Sequence, residues 1–136
     1  RKAGFNIDLQ FSDWGTVATR QQNRSAPGRA GWNLFVTTIP GATMQSPLTN
    51  VGTNMACEKA WAGWACDAQT ETLRGAVVDA PDDAARKAAV ETLHRHLAEV
   101  QPYRVLGQFV QPYARRANVA GVLAAPVMLF WNIEKQ

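Results

Sequence analysis

Gly4-Phe5-Asn6-Ile7-Asp8-Leu9-Gln10-Phe11-Ser12-Asp13-Trp14 is the stretch on which the fold turns. Phe5, Ile7, Leu9 and Phe11 alternate with Asn6, Asp8, Gln10 and Ser12, a period of two that predicts a strand with one covered face. Ser12 and Asp13 are N-cap residue types, and Trp14, Val17 and Ala18 follow at helical spacing, so a helix is expected from Trp14 to about Arg24. Ser25-Ala26-Pro27-Gly28 reads as a turn. Trp32 to Thr38 is a continuous apolar and β-branched run of strand length, suited to cover on both faces. Strand, helix and strand with short joints make a βαβ unit, whose crossover is right-handed and whose strands lie parallel.

Downstream, Ile39 to Asn54 has turn chemistry throughout (Pro40-Gly41, Ser46-Pro47, Asn50, Gly52, Asn54) and no period. A long structureless loop of this kind inside a compact domain is read as functional. Asp67 caps a helix whose stripe is Leu73, Ala76, Val77 and Ala80, and Pro81 breaks it. Asp82 caps a longer helix with Ala85, Ala89, Leu93, Leu97 and Val100 on one face, stopped by Pro102. Tyr103 to Val110 is β-rich, Gln111-Pro112 turns, residues 113–119 are irregular and basic, and Val127 to Ile133 is a last strand. The expected fold class is α/β or α+β, a mixed sheet with flanking helices in one layered lobe.

The 136 residues fit one domain, and 46% hydrophobic with 18% charged residues exclude a disordered chain. Ten of the 14 basic residues are Arg, but they are scattered and the net charge is only +3. No basic stripe supports nucleic acid as a partner. No stretch approaches the roughly 18 apolar residues of a membrane span; Val119 to Ile133 is interrupted by Gly121, Pro126 and Asn132 and reads as two short strands. Arg1-Lys2-Ala3-Gly4 has the character of a helix C-terminus. The expectation is therefore a fragment of a longer protein, for which a missing signal peptide carries no information on compartment.

In open sheets ligands lie beyond the carboxyl ends of parallel strands. Here those ends are Ser12-Asp13-Trp14 and Thr38-Ile39-Pro40-Gly41-Ala42, and the first helix would aim its N-terminal N–H groups at the same edge. Trp14 either faces a ligand or packs as the first apolar residue of its helix, whereas Asp13 reads as a cap. His94 and His96 are two apart on a helix and cannot face one target, so both are expected on or near its surface. Carboxylates occur mainly as caps or on helix faces, and no nucleophile elbow, phosphate loop or metal-ligand spacing is present. No catalytic residue, metal or cofactor is assigned, and the chain reads as a binder. Cys57 and Cys66, nine positions apart, flank Trp61 and Trp64. Two thiols make an incomplete zinc site. As a disulfide they would contribute about 2.5 kcal/mol and imply an oxidising compartment; the alternative is two unrelated buried thiols. Trp61 and Trp64 either stack on a ligand or pack the loop.

The ordered set Gly4-Phe5-Asn6-Ile7-Asp8-Leu9, Asp13-Trp14-Gly15-Thr16 and Gly31-Trp32-Asn33-Leu34-Phe35 resembles the C-terminal lobe of bacterial extracellular solute-binding proteins of the family 5 type. Ala60-Trp61-Ala62-Gly63-Trp64, Pro102-Tyr103, Leu106-Gly107-Gln108, Val119-Ala120-Gly121-Val122 and Phe130-Trp131-Asn132 extend the likeness over nearly the whole chain. These are the peptide/nickel-binding components of ABC importers. The resemblance implies one lobe of a two-lobed periplasmic binding protein type II fold that closes on a solute and delivers it to a membrane permease. Its implied partners are the N-terminal lobe of the same protein, the permease and a peptide-like or other small solute. Its implied location is the periplasm, or the outer face of a membrane. Peptide-binding members hold the α-ammonium with an Asp beyond the second strand. Ungapped matching puts Ala42 at that Asp and Ile39 at a preceding Trp, and no carboxylate occurs between Asp13 and Glu58. A buried ammonium without its counter-ion costs several kcal/mol, so a neutral or anionic solute, a blocked peptide or a sugar-like molecule is expected. Gln21 falls near a position that can be basic in the family, with Arg20 beside it. The expected ligand contacts are thus Trp14, Arg20, Gln21, Thr38, Ile39, Pro40, Gly41, Ala42 and Trp64. A ligand-sensing or chaperone-like domain built on the same lobe is the alternative.

Overall fold

The computed structural model describes residues 4–136, so the helix end read at Arg1-Lys2-Ala3 lies outside the described residues. The chain divides into two compact units, Arg1–Thr37 and Thr38–Gln136.

In the first unit Asp13 starts helix α1, Trp14–Arg20, by accepting the Thr16 N–H at 3.0 Å and the Thr16 hydroxyl at 2.6 Å. The helix ends four residues before the expected Arg24. Asn23 accounts for this: its Oδ1 accepts the Ser25 N–H at 2.8 Å, a side-chain turn that competes with continued helix. A turn of 3₁₀ helix at Pro27–Arg29 follows. The Trp32 indole N–H donates to the Gln21 carbonyl at 3.1 Å, and the Trp32 and Phe35 rings meet edge to face at 4.8 Å. Neither Phe5–Phe11 nor Trp32–Thr38 is a strand, so the expected parallel pair and its βαβ unit are not formed. The alternation records which side chains call for cover, but a strand exists only through the N–H and C=O groups of a neighbour. Phe11 is 88% exposed, and Phe5, Ile7 and Leu9 are exposed with it.

The second unit is built on two helices, α3 (Ala68–Val78) and α4 (Asp83–Val100), with a short helix α2 (Gly41–Met44) before them. Asp67 accepts the Thr70 N–H at 2.6 Å and Asp82 the Ala85 N–H at 2.8 Å, so both caps fall where the sequence puts them. Helix α4 stops at Gln101, whose φ of +50° turns the chain while its N–H donates to the Leu97 carbonyl at 2.9 Å. Leu93 and Val77 are buried with Met55 and Ala60 in a small core.

The loop from Ile39 to Asn54 is not structureless, as its sequence suggested. It holds α2 and a 3₁₀ turn at Val51–Thr53, and Thr53 Oγ1 donates to the carbonyls of Pro47 at 2.5 Å and Asn50 at 2.8 Å. Hydroxyl and amide side chains take up the backbone groups that a ladder would otherwise satisfy. A further 3₁₀ turn, Cys57–Lys59, leads into the loop before α3. The expected mixed sheet reduces, among the described residues, to one antiparallel pair, β1 (Val119–Ala120) with β2 (Glu134–Lys135), in register Val119↔Lys135. Tyr103–Val110 and Val127–Ile133 are not strands, for the reason that holds at Phe5–Phe11. At Gly121, φ +74°, a Cβ would lie 1.8 Å from the Asn132 carbonyl oxygen, so glycine alone closes the turn beside β1.

Candidate functional site

Trp14 stands at the first position of α1 and is 59% exposed. Asp13 beneath it is a cap, and the Thr16 hydroxyl and N–H hold its carboxyl below the usual range. Arg20 is engaged by its own unit. Nε donates to the Ala30 carbonyl at 3.2 Å, Nη2 to the Gly31 carbonyl at 2.9 Å, and Nη1 to Gln10 Oε1. Gln21 is only 8% exposed, and its Oε1 is buried without a hydrogen-bond partner among the described residues. Arg20 therefore braces the turn at Ala30-Gly31, and Gln21 holds a polar atom inside the unit.

In the second unit Thr38, Pro40, Gly41 and Ala42 are exposed and Ile39 is half-buried. The Pro40 carbonyl accepts both the N–H and the hydroxyl of Thr43, at 3.0 and 2.8 Å, which fixes the turn into α2. The segment offers backbone groups and no charged side chain. Trp64 is half-buried with φ +48°, and its N–H donates to the Trp61 carbonyl at 2.8 Å.

Cys57 and Cys66 are joined, with Cα atoms 4.1 Å apart, which decides between the disulfide and two separate thiols. An isolated antiparallel bridge between Ala56 and Cys66 and the Cys57 N–H donating to the Ala65 carbonyl at 3.0 Å close the same loop.

The structure corrects one histidine. His94 is exposed, but the His96 side chain is mostly buried, and its Nε2 lies 2.8 Å from Asp67 Oδ1. The Asp67 carboxyl is held down at about 2 by His96 first and then by Thr70. The spacing carried a signal: His96 falls three residues after Leu93 and so flanks the buried stripe. Among the described residues no group of three or more His, Cys, Asp or Glu side chains is placed to hold a metal ion. No helix among them is long and apolar enough to cross a membrane.

No protein-family model matches the chain. Over 135 residues it is 31% identical to a protein of Sinorhizobium fredii named "Probable peptide ABC transporter periplasmic-binding protein y4tO". The match covers 99% of this chain and 25% of that protein, so the chain spans about a quarter of its relative's length. The resemblance read from the ordered motifs is borne out: the chain is similar, from one end to the other, to part of a periplasmic-binding protein.

Proposed function

We propose that the chain is one lobe of a periplasmic solute-binding protein, which captures a small solute by hinged closure and passes it to the permease of an ABC importer. One observation carries this reading, the 31% identity that runs over 99% of the chain to a protein with such a name. The Cys57–Cys66 disulfide fits an oxidising compartment. The relative is named as a binding protein, and the role in this reading is binding.

The relative is named for peptides. This chain lacks a carboxylate between Asp13 and Glu58, and ungapped matching to the resembled family puts Ala42 at the Asp with which peptide binders hold the ammonium. The solute in this reading has no free ammonium at that point; it is a blocked peptide, a neutral molecule or an anion. Trp14, exposed and rigid, supplies stacking area. Thr38 to Ala42 supplies backbone hydrogen bonds, which a closed and desolvated cleft makes strong. Trp64 contributes apolar surface beside the disulfide. Arg20 and Gln21 act behind these contacts, Arg20 through the turn it braces. Closure against an N-terminal lobe completes the walls, in the manner of hinged binding proteins.

The test uses the intact protein. Mass spectrometry of what co-purifies identifies the solute, and calorimetry then compares Trp14→Ala with the unaltered protein. Affinity should fall at least about tenfold with an unchanged circular dichroism spectrum. Equal affinity removes Trp14 from the site, and uptake of that solute persisting after deletion of the gene removes the transport reading.

A further inference from the structure

We infer that the second unit carries a ligand site of its own, a cleft of about 500 Å³ between residues 44–53, the end of α4 and residues 101–105, shaped for a small amphipathic carboxylate. The volume lies within the range of roughly 300–1,000 Å³ typical of small-molecule sites.

The cleft is built by chain reversal. Gln101 at φ +50° ends α4, and Pro102 prevents its continuation, so Tyr103 comes back across the 3₁₀ turn at Val51–Thr53. A Cβ on Gly52 would lie 2.7 Å from the Tyr103 ring, which shows how closely the ring rests on that backbone. Asn50, 4% exposed, pins both: its Oδ1 accepts the Gly52 N–H at 3.0 Å, and its Nδ2 donates to the Tyr103 hydroxyl at 2.8 Å. Because the Tyr103 oxygen accepts from Asn50, its own proton is left to donate to another group.

The polar lining is rich in donors. Arg104, His94 and Gln101 line the cleft with Tyr103, and none of the lining residues is Asp or Glu. A cation would face Arg104 without a counter-charge, and a plain hydrocarbon would leave donors unpaired. A carboxylate satisfies Arg104 and Tyr103 together through charge-assisted hydrogen bonds. Met44, Pro47, Leu97 and Val105 also line the cleft and offer apolar surface to an aliphatic or aromatic body.

The experiment is photolabelling of the intact protein with 4-benzoylphenylacetate, whose excited ketone inserts into nearby C–H bonds, methionine's in particular. Labelled peptides are expected to contain Met44 or residues 97–105, and 3-phenylpropionate should compete at least about tenfold better than the neutral 3-phenylpropanol. Arg104→Gln should lower labelling at least about fivefold, and Ala98→Trp, which fills the cleft, should abolish it. Label on other segments, equal competition by the alcohol, or full labelling of Arg104→Gln each overturns the proposal. The carboxylate-against-alcohol comparison is made on the unaltered protein, so it decides the matter even where a variant fails to fold.

Discussion

The carboxylate of Asp67 serves two helices, starting α3 through the Thr70 N–H and reaching α4 through His96. Its pKa falls from 3.8 to about 2 in the folded chain, so between those values the unfolded chain binds more protons than the folded one. The stabilisation is complete above pH 3.8 and is lost as the pH drops through about 2. Urea midpoints across this interval should fall with pH in the unaltered chain. In Asp67→Asn, which keeps a cap oxygen but loses the charge, the fall should be shallower; parallel curves would assign the acid sensitivity to other carboxylates. Gly52 allows a second, steric prediction. Gly52→Ala places a methyl 2.7 Å from the Tyr103 ring and 3.3 Å from Asn50 Oδ1. Overpacking of this kind costs about 1–3 kcal/mol, to be read from denaturant midpoints. A neutral result would mean that the ring swings away freely.

At the scale of elements, the unit of stability is the pair α3 and α4. Leu93, fully buried, is the side chain whose loss that packing can least absorb, and Leu93→Ala should cost about 2–5 kcal/mol. Opening the loop that precedes the pair, by Cys57→Ser with Cys66→Ser, should cost about 2.5 kcal/mol from chain entropy. Both are read by urea denaturation of the whole chain. These helices were also the legible part of the fold. Asp13, Asp67 and Asp82 each cap through an N–H three residues ahead, and that distance lies wholly within the local sequence. The alternation at Phe5–Phe11 is as plain to the eye, yet what it encodes depends on a neighbouring strand that no local pattern supplies. The same division runs through the candidate site. The cap under Trp14 and the turn at Pro40 were readable locally. The engagement of Arg20 by carbonyls ten and eleven residues away, and of His96 by a carboxylate 29 residues away, needed tertiary contacts.

For the whole molecule, the informative feature is how much β-forming sequence lies exposed. Phe5, Leu9 and Phe11, then Leu106, Phe109 and Val110, then Phe130 and Trp131 face solvent, and a chain of this length seldom leaves such patches without a partner. Unpaired segments of this composition are templates for strand addition. The chain matches 25% of the length of its relative; in the function proposed above it is one lobe of a longer protein, and the rest of that protein would supply strand neighbours. Hydrogen exchange read by mass spectrometry distinguishes the two situations. With the 136-residue chain alone, amides at Phe5–Phe11 and Leu106–Val110 should exchange rapidly, while those of α4 near Leu93 should be slow. In the intact protein the first two segments should slow by on the order of a hundredfold or more as ladder bonds form, with α4 little changed. Equal exchange in both would mean that the alternation at the start of the chain serves packing of another kind. The proposed hinge closure would then need walls other than a sheet continued through these residues.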